Sequence, residues 1–250
     1  MKNVLIIGAS NGLGAHLATR FAKEGCAVVG TGRRPAEDVS AEGLADYVRL
    51  DLADPDAPGR LMEHLNGRSP DLVVHNAVSY GPLGNSDLTL EELETLFRVN
   101  SLVPYRLLQD LLFAVPEERF CSCVVVNSDA IYSANRQSGA YAASKAALRV
   151  LTTALADACT TRNASVSTLL LGPLADPRKT AELRKVAARR GIAENEIVRA
   201  FLRKSSPSYV IDSLIDFESC FRSVQYLAGL GRSANGMLCK LDGGSSGSLI

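Results

Sequence analysis

An apolar run at the start of the chain breaks directly into a glycine turn and then into a helical pattern. Val4-Leu5-Ile6-Ile7 is followed by Gly8-Ala9-Ser10-Asn11-Gly12-Leu13-Gly14, and helical spacing of apolar residues runs from Gly12 to Lys23. A wholly apolar strand with no polar alternation belongs in a parallel sheet covered on both faces by helices. In a strand-turn-helix unit of this kind, glycines remove side chains where backbone must approach a pyrophosphate. The helix N-terminus then offers amides and the positive end of its dipole to that anion.

The rest of the chain repeats the alternation. Strand-like runs are predicted at 4–7, 27–31, 47–50, 72–75, 121–127, 166–171 and 237–241, with helices at 12–23, 57–65, 89–112, 141–160 and 217–227. Such alternation implies an α/β fold built on a doubly wound parallel sheet, with its ligand crevice outside the carboxyl ends of the strands. The sequence has no internal repeat, low-complexity tract or linker, so residues 1–250 are expected to form one dinucleotide-binding catalytic domain. Within it, about 176–216 reads as a substrate lid made of two amphipathic helical stretches.

Tyr141 and Lys145 stand four apart on a predicted helix, and Ser128 lies thirteen residues before the tyrosine at the end of an apolar strand. Residues four apart share a helix face. The lysine ammonium is therefore expected beside the phenol, lowering its pKa from about 10 so that it can exchange protons near neutrality. Asn100 sits inside a leucine-rich helical stretch, where an amide has no apolar reason to be.

These segments together resemble the short-chain dehydrogenase/reductase family, over nearly all of the chain from Val4 to Gly244. Gly8, Gly12 and Gly14 match the family's cofactor glycines, Asp51 in Leu50-Asp51-Leu52 its adenine-contacting aspartate, and Asn76-Ala77 its N-A-G segment. Asn100, Ser128, Tyr141 and Lys145 fall in the order and spacing of its four catalytic residues. Gly172-Pro173-Leu174 stands where its P-G loop passes the nicotinamide, and Leu241-Asp242-Gly243-Gly244 where it has a closing D-G-G turn. The resemblance implies a Rossmann-type fold with helices on both faces of the sheet. It implies Tyr141 as proton donor, Ser128 as oxyanion partner, Lys145 on the nicotinamide ribose, and Asn100 organising a water that relays protons from Lys145. Ser10, Asn11 and Leu13 are carried with the glycines as cofactor contacts.

The second strand bears on cofactor choice. An acidic residue there would bind the adenosine ribose hydroxyls, but this strand ends Gly30-Thr31-Gly32-Arg33-Arg34. Arginine pairs with phosphate through forked, charge-assisted hydrogen bonds, so Arg33 and Arg34 favour NADP(H), with NAD(H) still possible. Against this, Asn11 stands where many NADP-using relatives carry a base. Other departures are Val78 for the glycine of N-A-G, Asp129 for a small residue, Leu171 for the proline of P-G, and Asp176 for a threonine. Val78, Tyr80, Asp129 and Tyr132 are expected to shape the substrate pocket.

Lys plus Arg and Asp plus Glu number 27 each, which gives no reason to expect a nucleic acid or membrane partner. The six cysteines are scattered without metal-ligand spacing and read as buried thiols, so no metal is expected. A strand at the N-terminus with no charged leader, and no run of membrane-spanning length, lead to a cytoplasmic expectation. His16 and His64 show no convergent partner, and His75 is expected to make a buried hydrogen bond beside Asn76. Nine basic residues between Arg178 and Lys204 read as a solvated lid face, the alternative being recognition of an anionic or carrier-bound substrate. By resemblance a homo-oligomer, tetramer or dimer, is expected. The reading is an NADPH-dependent ketoreductase acting on a small or medium carbonyl compound such as a biosynthetic intermediate. An alcohol dehydrogenase working oxidatively with NAD(P), and a non-catalytic dinucleotide-binding regulator, stay open.

Overall fold

The computed structural model describes residues 1–82, 87–133 and 137–245. Strands β1 (Asn3–Ile7), β2 (Ala27–Gly32), β3 (Asp46–Arg49), β4 (Leu72–His75), β5 (Cys121–Ser128), β6 (Ala164–Leu171) and β7 (Leu238–Leu241) form one sheet in the order β3-β2-β1-β4-β5-β6-β7. Every neighbouring pair is parallel. The order reverses between β1 and β4, and that switch point opens the crevice where the glycine turn and the β4 end lie side by side.

Helices α1 (Gly12–Lys23), α2 (Ala57–Leu65), α3 (Leu90–Phe97), α4 (Val103–Phe113), α5 (Gly139–Ala158) and α8 (Phe217–Gly229) flank the sheet. Alternate strand residues divide the core. Leu5, Ile7, Val73 and Val125 pack with α2, α4 and α5, while Val4, Ile6, Leu72 and Val124 pack with α1 and α8. Phe21 and Phe221 meet edge-on at 5.0 Å and join α1 to α8. The central strands are apolar end to end because both of their faces are covered. The segment read as a lid holds α6 (Pro177–Arg190) and α7 (Glu194–Ser205), whose Leu183, Ala187 and Ile197 make a separate small cluster with Phe201 and Leu214.

One predicted helix is not continuous. The stretch expected at 89–112 is divided into α3 and α4 by a π-helical turn, Arg98–Leu102, in which the Val103 N–H reaches back to the Arg98 carbonyl. Pro104 is the reason: it has no N–H to give the Asn100 carbonyl in an α-helix, so the ladder shifts by one residue just before it. Thr89 and Glu92 cap α3 reciprocally, which fixes where it starts. Among the described residues, no helix is long and apolar enough to cross a membrane.

Candidate active site

The glycine turn leaves the carboxyl end of β1 and is held by backbone. The Gly8 and Ala9 N–H groups both donate to the Thr31 carbonyl, at 3.0 and 2.7 Å. A Cβ on Gly14 would stand 1.9 Å from the Gly8 carbonyl oxygen, so only glycine permits this close approach of α1 to β1. The Asn76 amide donates to that same Gly8 carbonyl at 2.9 Å, and Ala77 lies against Gly8, which ties the turn to the end of β4. Asn11 precedes α1 in extended conformation, makes no side-chain cap, and is followed by no acid in the first turn. The first amides of α1 are thus left to an external anion, and the arrangement fits a dinucleotide pyrophosphate. Leu13, buried in the core, anchors the helix behind them.

At the end of β2 two hydroxyls occupy the place an acidic side chain would take. A Cβ on Gly32 would meet the Tyr47 hydroxyl at 2.7 Å and Ser10 Oγ at 2.9 Å. Tyr47 donates to the Arg34 carbonyl at 3.1 Å, and Arg49 Nε donates to the Arg33 carbonyl at 3.2 Å. Three guanidinium side chains, those of Arg33, Arg34 and Arg49, therefore stem from this corner. Tyr47 was invisible to the sequence pattern because it comes from β3, paired opposite Gly30. Asp51, just past β3, accepts from the Ala53 N–H at 2.9 Å, and Leu52 beside it is buried.

Ser128, Tyr141, Lys145 and Asn100 come together at the carboxyl end of β5. Ser128 ends that strand, and its hydroxyl accepts from the Ala130 N–H at 3.2 Å while reaching the Tyr141 phenol. Asn127 receives the Ser128 N–H at 2.8 Å and donates to the Lys145 carbonyl at 3.1 Å, so it links strand to helix below the two hydroxyls. Lys145 is 3% exposed and its ammonium donates to the Val126 carbonyl at 3.2 Å. Burial brings its pKa down to about 8.

The expected effect of Lys145 on the tyrosine is not what the structure gives. Burial pushes the Tyr141 phenol well above its ordinary value, Tyr80 and Asp129 push it further, and only the Ser128 hydrogen bond draws it down. The lysine charge is turned towards the strand carbonyl instead. The Tyr80 ring lies 5.1 Å from that of Tyr141, tilted by 32°, and is itself 60% exposed.

Asn100, fully buried in the π-turn, receives the Ser79 N–H at 2.8 Å and donates to the Ser79 carbonyl at 2.7 Å and to Ser144 Oγ at 2.9 Å. It clamps the loop after β4 to α5. Asn100→Ala would take a partner from the half-buried Ser79 N–H and carbonyl and leave the buried Ser144 hydroxyl only its bond to the Tyr141 carbonyl, so it is expected to lower the unfolding free energy by about 1 to 3 kcal/mol. Urea unfolding of the two proteins measures this, and a loss below about 1 kcal/mol would show the clamp to be dispensable.

On the outer side of the site, Asp129 receives the Tyr209 hydroxyl at 2.5 Å, and burial raises the carboxyl pKa. Tyr209 was missed by sequence reasoning, since it stands in a loop eighty residues away with no motif around it. Val78, on the loop after β4, and Tyr132, whose ring centre lies 5.3 Å from the Lys240 ammonium, are both exposed. Gly172 donates to the Leu241 carbonyl at 3.0 Å, Pro173 accepts from Ile215 at 2.9 Å, and Leu174 bridges to Ile215. Asp176 caps α6 by accepting from Arg178 at 2.9 Å, and its other oxygen lies 3.1 Å from where a Gly12 Cβ would be. A carboxylate therefore faces the glycine turn. Several lid bases are paired on the lid itself, Lys179 with Glu182, Arg184 with Glu194 and Arg199 with Asp212.

Two histidines find partners that the sequence could not show, and the third departs from expectation. His64 meets Asp46 at 2.7 Å and His16 meets Glu218 at 3.6 Å, partners that come from other elements. His75 does not make the buried hydrogen bond expected of it: both ring nitrogens are buried and unpaired, because its neighbours in the sheet, Ile7 and Val125, are apolar. All six cysteines are free, and Cys121, Cys123, Cys159 and Cys220 are buried.

A family model described as short chain dehydrogenase matches residues 2–187. The chain is 24% identical over 254 residues to a Bacillus subtilis (strain 168) protein named uncharacterized oxidoreductase YvaG, spanning 97% of this chain and 95% of that one. It is 31% identical over 178 residues to the cyclic-di-GMP-binding biofilm dispersal mediator protein of Escherichia coli (strain K12), spanning 69% and 73% of the two chains. Its fold is similar to that of L-sorbose reductase from Gluconobacter frateurii, solved in complex with NADPH and L-sorbose. The TM-score there is 0.83 at 19% identity, over 99% of this chain and 97% of the other.

Proposed function

The chain belongs to the short chain dehydrogenase family and is an NAD(P)-dependent oxidoreductase acting on CH–OH or C=O groups, and from this premise we propose that it is an NADPH-dependent carbonyl reductase with Tyr141 as proton donor. The observation that carries the reading is the convergence of the Ser128 and Tyr141 hydroxyls above the buried Lys145.

The first amides of α1, with Gly8, Ser10, Asn11, Gly12, Leu13 and Gly14, would hold the pyrophosphate of the cofactor. Arg33 and Arg34 would hold the 2′-phosphate, Asp51 and Leu52 the adenine, and Asn76, Ala77 and Gly172 to Leu174 the nicotinamide end. NADPH, when bound, supplies the hydride for the carbonyl carbon. Ser128 donates a hydrogen bond to the carbonyl oxygen, where negative charge develops, and Tyr141 transfers its proton to that oxygen. Lys145, now buried with its ammonium on the Val126 carbonyl, would meet the ribose hydroxyls of the cofactor. A phenol whose pKa is raised stays protonated at neutral pH, so Tyr141 holds the proton that reduction of a carbonyl calls for. Val78, Tyr80, Asp129 and Tyr132 would border the substrate, with α6 and α7 as its lid. Leu90, Leu102 and Val150, large apolar residues exposed on the outer helix faces, suit the interface of a homo-oligomer.

Titrating the protein with NADPH and NADH by fluorescence, then screening ketones, aldehydes and alcohols at the nicotinamide absorbance band, tests the proposal. Tighter binding of NADPH and its consumption by a carbonyl compound are expected. Dinucleotide binding without turnover on any panel would favour the regulator reading, and tighter NADH binding would reverse the cofactor assignment.

A further inference from the structure

Among the described residues, His75 is the one buried ionisable ring that the proposed reaction leaves unused. It closes β4, with its Cα opposite Ile7 on one side and Val125 on the other, and it is 0% exposed. Strand alternation puts its side chain on the face of Val73, the face covered by α2, α4 and α5. Lys145 comes down from α5 onto that end of the sheet. Its ammonium bonds the carbonyl of Val126, one residue beyond the His75 partner in β5. A neutral imidazole has one donor and one acceptor nitrogen, and here neither has a protein partner. Leaving such groups dry is unfavourable, and a buried water meets the need when a second polar group is near.

We propose that His75 is a positioning residue for Lys145, its ring accepting through one bridging water from the lysine ammonium and so holding the charge in a buried site. The lysine needs such a partner. Burial alone shifts it, to about 8, and no carboxylate acts on it. Tyr141 on α5, Tyr80 on the loop after β4 and Asp129 on the turn after β5 interact around the phenol, and none of them is among the groups that shift Lys145 or His75. Burial and then the Lys145 charge bring His75 down to about 3, so near neutrality it serves as an acceptor and not as a second cation.

The inference depends on the reductase reading only for its importance to the reaction. Its test needs neither cofactor nor substrate. In protein labelled with ¹³C-lysine, the Lys145 side-chain signal is assigned by its loss in Lys145→Met and followed through a pH titration. The midpoint is expected to fall by about one pH unit in His75→Leu, a tenfold change in proton affinity, and to be largely restored in His75→Asn, which keeps an acceptor. Should the leucine variant not fold, His75→Phe must show the same fall. An unchanged midpoint in either apolar variant, with a raised melting temperature or without one, overturns the proposal and leaves His75 a dry core residue.

Discussion

Tyr141→Phe is expected to keep NADPH affinity within a few-fold of the parent while lowering turnover by roughly 100-fold or more, the scale of a lost general acid. The substitution removes one oxygen and little else. The ring keeps its contact with Tyr80, and Ser128 keeps its bond from Ala130. The loss therefore falls on the proton and not on the fold. The raised phenol pKa keeps the proton on the oxygen through neutral pH. Single-turnover rates and dissociation constants for both proteins separate chemistry from binding. Near-normal turnover in the variant would place the proton donor elsewhere, and equal losses in affinity and rate would show damage to the crevice.

Arg33→Ala is expected to weaken NADPH by about ten- to a hundred-fold and to leave NADH nearly unchanged, since a charged hydrogen-bonded contact contributes about 1.5 to 3 kcal/mol. Reversing the preference takes more than adding an acid. In Gly32→Asp the new Cβ would press on the Tyr47 hydroxyl at 2.7 Å and on Ser10 at 2.9 Å. Gly32→Asp with Arg33→Ala is thus expected to weaken both cofactors. Adding Tyr47→Phe, which frees the space of the hydroxyl, should bring NADH binding back and complete the reversal. A pair of dissociation constants for each variant, at fixed moderate salt, decides it. If the double variant already bound NADH tightly, the Tyr47 hydroxyl would not be the obstacle.

Most of the scaffold could be read along the chain. The limits of α1, α2 and β4 coincide with those expected from apolar spacing, because a strand covered on both faces is apolar throughout and an amphipathic helix repeats its apolar face every three or four residues. The glycine turn was legible for a similar reason. Its close packing depends on side chains being absent at fixed offsets, which is a local property. Spacing alone put Ser128, Tyr141 and Lys145 near one another because one strand end and one helix turn carry all three. Even the π-turn had a local mark in Pro104, although the broad leucine pattern on either side hid it.

Contacts between distant segments, and the solvent each group loses, were decided by the tertiary structure alone. Asp129 meets Tyr209 across eighty residues, Tyr47 fills the space beside Gly32 from another strand, and His75 ends among apolar neighbours with neither nitrogen paired. The reversed expectation for Tyr141 has the same origin. Helical spacing put lysine and tyrosine on one face, but the strand carbonyl drew the ammonium away and the surrounding chain removed water from the phenol. Periodicity along the chain specifies which residues share a face, whereas a pKa depends on everything packed around a group, and that exists only once the chain has folded.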